Sequence, residues 1–175
     1  ANDDMPNFLF QNNGKGKFEE VGLMSGVSYG MGGDEQSSMG IGCADYDNNG
    51  WLDFYVTGYR HELALLYKNV GKGSFEDATR LTGAGTETFQ RVNWGTEFVD
   101  FDNDGDRDLF IACGHFDRNI KKLDKSLDHQ TRNIMLMNNG KEKFINVSDK
   151  CGDGLAVKLS SRGAAFDDLD NDGDI

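Results

Sequence analysis

The sequence predicts an all-β chain built from repeating units of four antiparallel strands. Three observations carry that prediction. An acidic nine-residue pattern occurs three times, a strand–turn–strand pattern occurs three times, and the two keep step along the chain.

The acidic pattern is fullest in Asp100-Phe-Asp102-Asn-Asp104-Gly105-Asp106-Arg-Asp108. Its other copies are Asp45-Tyr-Asp47-Asn-Asn49-Gly50-Trp51-Leu-Asp53 and Asp168-Leu-Asp170-Asn-Asp172-Gly173-Asp174-Ile175, the latter reaching the chain end before a ninth position. Two carboxylates ~4 Å apart near a surface repel by about 4 kcal/mol at an effective dielectric of ~20. Such a loop therefore calls for a cation. Oxygen ligands at alternate positions suit Ca²⁺, which takes roughly 6–8 oxygens, better than Mg²⁺, which keeps several waters. By analogy with the EF-hand, positions 1, 3, 5 and 9 supply side chains and position 7 a backbone carbonyl. The candidate ligands are Asp45, Asp47, Asn49, Trp51 and Asp53 in the first loop, and Asp100, Asp102, Asp104, Asp106 and Asp108 in the second. In the incomplete third they are Asp168, Asp170, Asp172 and Asp174. With four acidic side-chain ligands against three, the second loop is expected to bind more tightly than the first.

An EF-hand places a bidentate Glu at position 12 and helices on both sides. Here position 12 is Val56 or Ile111, and aromatic and β-branched runs follow the loop. The loop therefore joins two strands.

The second pattern runs Asn7–Val21, Leu65–Asp77 and Asn133–Val147, each a strand, an Asn/Gly reversal and a strand led by Phe. Gly and Asn tolerate positive φ, so each reversal reads as a hairpin. The turn glycines Gly14, Gly71 and Gly140 are 57 and 69 residues apart, and the loop aspartates Asp45, Asp100 and Asp168 are 55 and 68 apart. A four-stranded unit recurring at this period is the signature of a β-propeller blade. One blade, 39–91, has strands at 39–45, 53–58, 65–69 and 74–79. The next, 92–161, has strands at 92–100, 108–113, 133–137 and 143–148, with an insertion at 114–131. Residues 1–38 hold a C/D half-blade and a linker, and 162–175 open a further blade. About three repeats are fewer than the four or more blades of a closed propeller, so the chain is expected to be a segment of a longer one.

Composition narrows the partners. The 175 residues carry a formal charge of −12, which three Ca²⁺ would halve. Without a basic stripe, such a chain is a poor candidate for nucleic acid or an anionic membrane surface. No apolar run reaches the ~18–20 residues of a membrane span. Cys43, Cys113 and Cys151 lack metal-ligand spacing and read as buried thiols in or beside strands, or as one disulfide and one free thiol. Trp94 and Phe98 read as core. Gly40-Ile-Gly42 opens a strand and lacks the third glycine and helix of a dinucleotide motif. In the insertion, Ile120, Leu123 and Leu127 recur at helical spacing and predict a short amphipathic helix. Asn146-Val-Ser148 matches a glycosylation pattern within a predicted strand.

The stretches 7–21, 39–50, 95–105 and 162–174 resemble the FG-GAP/VCBS repeat family. In particular they are similar to the propellers of ASPIC/UnbV-containing and cartilage-acidic-protein-like proteins. The resemblance implies a Ca²⁺-binding propeller of about seven blades, extracellular or periplasmic, and no particular reaction. Asn49 departs from the aspartate of the other copies. The function expected is a non-catalytic, calcium-stabilised binding, adhesion or scaffold module. Its partners would be a protein or glycan ligand and the remaining blades of the parent protein. One alternative is a propeller-based polysaccharide lyase or hydrolase, which would need a His, Arg and carboxylate cluster at one mouth, for instance His115, Arg118 and His129, though nothing in the sequence brings these together. The other is a subunit that docks onto a larger complex through the insertion.

Overall fold

The computed structural model describes residues 1–175 and is all-β, with ten short strands and four single-turn helices. Strands β1 (Phe10–Asn12) and β2 (Phe18–Glu20) form a two-stranded sheet. Strands β3 (Ile41–Ala44), β4 (Asp53–Val56), β5 (Leu65–Asn69) and β6 (Phe75–Asp77) form a four-stranded sheet in chain order. Strands β7 (Asn93–Val99), β8 (Asp108–Cys113), β9 (Ile134–Asn138) and β10 (Phe144–Asn146) repeat that arrangement. Every pairing is antiparallel.

The strand sequences explain how the sheets stack. Side chains alternate across a strand, yet Phe54–Val56 in β4 and Leu65–Tyr67 in β5 are consecutive apolar or aromatic residues, so both faces of this sheet must be covered. On one face, Tyr55 and Leu66 join Leu109, Ile111, Cys113, Ile134 and Leu136 of the next sheet in the main core. On the other face, Val56, Leu65 and Tyr67 pack with Val27, Leu9, Phe54 and Phe75 toward the N-terminal hairpin. The Tyr55 hydroxyl donates to the Ala84 carbonyl at 2.8 Å, which satisfies its one buried polar atom.

The first strands of the two four-stranded sheets approach closely. A Cβ on Gly40 would collide with the Trp94 carbonyl oxygen, and one on Gly95 would lie 2.9 Å from the Gly163 Cα. Both glycines stand five residues before the first aspartate of a loop, as Gly163 does. The glycine at this position therefore sets the spacing between neighbouring first strands.

Several expectations need correction. The insertion helix shrinks to one turn, Ile120–Leu123, with Leu123 79% exposed. Asp124 turns extended after it, and its side chain accepts hydrogen bonds from Ser126. A single turn fixes several dihedrals for one hydrogen bond, and the exposed Leu123 supplies no packing to offset that. Residues 162–167 run beside β7, with the Gly95 amide donating to the Arg162 carbonyl at 2.8 Å, but join no ladder. Trp94 is half-buried under the Arg162 guanidinium, 4.5 Å from the ring centroid, whereas Phe98 lies in the core. The three cysteines are free: Cys113 is buried, Cys151 half-buried and Cys43 exposed. Cys43 follows Gly42 on β3, and alternation turns it to the open side.

Candidate metal centres

Each of the two complete acidic loops is a tight reversal between the first two strands of a sheet, and the third copy has the same local turn. The Asn at position 4 is left-handed in all three copies, with φ of 56°, 57° and 60° at Asn48, Asn103 and Asn171. Among non-glycine residues, Asn and Asp adopt this region most readily. Position 6 is also left-handed, with φ of 89°, 93° and 100° at Gly50, Gly105 and Gly173.

These turns fold the backbone around the first aspartate. Asp45 accepts from the Asn49 and Gly50 amides at 3.0 and 2.7 Å. Asp100 accepts from Asp104 and Gly105 at 3.1 and 3.0 Å, and Asp168 from Asp172 and Gly173 at 3.1 and 2.8 Å. Position 9 ties the loop to the third strand. One Asp53 oxygen accepts from the Tyr46 amide at 3.0 Å and the other from Asn69 in β5 at 2.7 Å. Asp108 does the same with Phe101 at 3.0 Å and Asn138 in β9 at 2.7 Å. Both carboxylates are buried. Burial pushes each carboxyl up to about 6, against the opposing pull of the amide hydrogen bonds.

Carboxylate oxygens of Asp45, Asp47 and Asp53 lie within 4.8 Å of one another, as do those of Asp100, Asp102 and Asp108, and of Asp168, Asp170 and Asp172. An all-oxygen, multiply anionic donor set of this kind suits a hard divalent cation. The side chains at positions 5 and 7 make further contacts within and between the loops. Asn49 Oδ1 accepts from the Trp51 amide at 2.8 Å, and Asp104 Oδ1 accepts from Asp106 at 2.9 Å. The Trp51 ring lies over Gly71 in its own sheet's hairpin. The Asp106 side chain, at the same loop position, lies against Gly140 and accepts from Asn48 of the preceding loop at 2.9 Å. Asp174 accepts from Asn103 in the same way.

Two further groups belong to these centres. Asn69 and Asn138 each give a backbone amide to a position-9 carboxylate. Their Oδ1 atoms accept from the turn glycines Gly71 and Gly140 at 2.9 and 3.3 Å. Asn12 contacts Gly14 likewise at 2.8 Å, so an Asn two residues before each turn glycine was the available signal. The other group is Lys68 in β5, whose Nζ lies 2.7 Å from Asp47 and 2.7 Å from Glu142 in the next sheet. Although burial opposes its charge, hydrogen bonds to Asp47 and Glu142 hold the ammonium above its ordinary range.

The histidines of the insertion serve the loop itself. His115 Nδ1 accepts from the Asp117 amide at 3.0 Å, its Nε2 faces the Tyr59 hydroxyl at 3.3 Å, and its ring stacks on Phe116. His129 Nδ1 meets the His115 carbonyl at 2.7 Å. A cavity of about 240 Å³ beside them is lined by Arg60, Arg91, His115, Asp128, Arg132 and Lys158, among others, but not by Arg118 or His129.

Stacked four-stranded sheets with an acidic loop between their first two strands define the class of protein. Residues 45–111, from the first loop into β8, match the FG-GAP-like repeat family. The chain is 30% identical over 116 residues to cartilage acidic protein 1 of Xenopus tropicalis, an alignment covering 63% of this chain and 16% of that protein. It is 26% identical over 174 residues to cartilage acidic protein 1 of Homo sapiens, covering 98% of this chain and 24% of the relative, and the Mus musculus protein aligns equally. The chain thus spans about a quarter or less of the length of these relatives.

Proposed function

We propose that the acidic loops bind Ca²⁺ and that the ion holds the first three strands of each sheet together in a non-catalytic binding, adhesion or scaffold module. The observation that carries this reading is the convergence of the carboxylates at positions 1, 3 and 9, with position 9 also bonded to the third strand. An ion there would join the loop to that strand and cancel the repulsion among the carboxylates. We read the two four-stranded sheets as blades, and their face-to-face stacking supports a larger propeller that includes further blades. The relatives are named for cartilage, a tissue rich in extracellular matrix. Together with loops that suit the millimolar calcium found outside cells, that supports an extracellular or periplasmic setting and a protein or glycan ligand.

The test is a thermal melt with and without EGTA. A midpoint that rises with Ca²⁺ and falls on chelation is expected. An unchanged midpoint would overturn the structural-metal reading. The cavity beside the insertion offers the lyase or hydrolase alternative a place, but both ring nitrogens of His115 are engaged by neighbouring groups. No aligned nucleophile–base pair supports that alternative.

A further inference from the structure

We propose that Lys68 is a built-in counter-cation of the first loop, so that this loop takes up Ca²⁺ only by displacing a lysine ammonium, while the second loop binds Ca²⁺ without that competition. The inference rests on the calcium reading above and concerns how the two loops differ within it.

The geometry is specific to one loop. The Lys68 ammonium lies 2.7 Å from Asp47 Oδ2, and the Asp47 side chain is only 3% exposed. The same ammonium reaches Glu142 of the next sheet at 2.7 Å, so it is held from two sides. Asp47 is one of the three carboxylates that converge in the first loop. A cation arriving there must either share Asp47 with the ammonium or push it aside. Sharing is costly, because two cations close together repel under the same Coulomb rule that made the loop attractive. Pushing it aside also strips Glu142 of its partner.

The second loop has no such group. No lysine, arginine or histidine nitrogen lies within 4.0 Å of any of its carboxylates. The strand register shows why. Asn69 and Asn138 close β5 and β9 and give their amides to the equivalent aspartates Asp53 and Asp108. One residue earlier stand Lys68 in β5 and Met137 in β9. Methionine offers neither charge nor donor there. The remaining difference points the same way, since the first loop has the amide of Asn49 where the second has the carboxylate of Asp104. The structure thus assigns one loop a covalently tethered cation and leaves the other to an exchangeable one.

The experiment is calcium titration by calorimetry on the full chain with one loop left intact. In the background Asp102→Ala with Asp168→Ala, only the first loop retains its full set of three converging carboxylates. Adding Lys68→Met there should tighten Ca²⁺ binding at least tenfold. In the background Asp47→Ala with Asp168→Ala, adding Met137→Lys should weaken the second loop by a similar factor. Equal affinity with and without Lys68→Met, in folded protein by circular dichroism, overturns the proposal. If Lys68→Met does not fold, Met137→Lys decides alone, and an unchanged second-loop affinity overturns it. No calcium uptake by the unaltered chain overturns the calcium reading and this inference with it. Uptake by the unaltered chain with no effect of either substitution overturns this inference only.

Discussion

The two complete acidic loops share a backbone and differ in charge. In both, the first aspartate is wrapped by two amides, the Asn at position 4 is left-handed, and the buried position-9 aspartate holds the third strand. Around that frame, the first loop has an Asn at position 5, a tryptophan at position 7 and a lysine on its third residue. The second has carboxylates at positions 5 and 7 and no ion pair of its own. The lesson is that the turn and the charge around the ion site are separable. The position-1 and position-9 aspartates fold the loop through backbone amides in both copies, while the charge around them differs from loop to loop.

The largest expected effect tests the shared frame. Asp108→Ala and Asp53→Ala each leave two backbone amides without acceptors. An unsatisfied buried group costs about 1–3 kcal/mol, so each substitution should destabilise the ion-free protein by roughly 2–5 kcal/mol. Denaturant unfolding in EGTA checks this. Near-equal losses are expected if position 9 is structural in both loops, and a loss under ~1 kcal/mol at either would break the comparison.

Adding calcium should separate the loops. The calcium-dependent rise in melting temperature should drop more for Asp102→Ala than for Asp47→Ala, because the second loop supplies the more anionic set and has no tethered competitor. Comparable losses would argue against the ranking. This ranking was partly legible from residues alone, since Asn49 against Asp104 can be read directly. Lys68 was not, because a lysine 21 residues beyond Asp47 meets it only once β5 pairs with β4. The strand order and hairpins were legible because apolar runs and Asn/Gly turns are local signals. The insertion helix misled because Ile120, Leu123 and Leu127 have the right period but no surface against which Leu123 can pack. Spacing cannot show that. Residues 162–167, expected to open a further blade, run beside β7 without forming a ladder, for a ladder needs a paired strand as well as a β-prone sequence.

Acidity provides a third, smaller test. The Asp53 and Asp108 carboxyls are held near 6 in the fold, mainly by burial, against an ordinary value of 3.8. The folded state therefore binds these protons more tightly than the unfolded chain does, and stability changes with pH by linkage. In EGTA, stability should fall as pH rises from about 4 to about 6 and level off above. Calcium needs the ionised carboxylates, so the calcium-dependent increment should be larger at pH 7 than at pH 5. Asp53→Asn with Asp108→Asn should flatten the ion-free profile, and an undiminished slope would place its origin in other groups.

The smallest effect concerns the asparagine at position 4, which has two roles that substitution can separate. Its backbone is left-handed, and its side chain reaches the position-7 carboxylate of the following loop, Asn48 to Asp106 and Asn103 to Asp174. Alanine removes the contact and strains the backbone, while glycine removes the contact and relaxes it. A left-handed L-residue costs roughly 1–2 kcal/mol. An exposed hydrogen bond to a charged group contributes less than a buried one, of order 0.5 kcal/mol. Asn48→Ala should therefore destabilise by about 1–2 kcal/mol and Asn48→Gly by under ~0.5 kcal/mol in chemical denaturation. Equal losses for the two would mean that the contact between loops, and not the turn, is what the asparagine secures. In that case the first and second loops would no longer be independent, and a double-mutant cycle of Asn48→Gly with Asp106→Ala would show a coupling above ~1 kcal/mol.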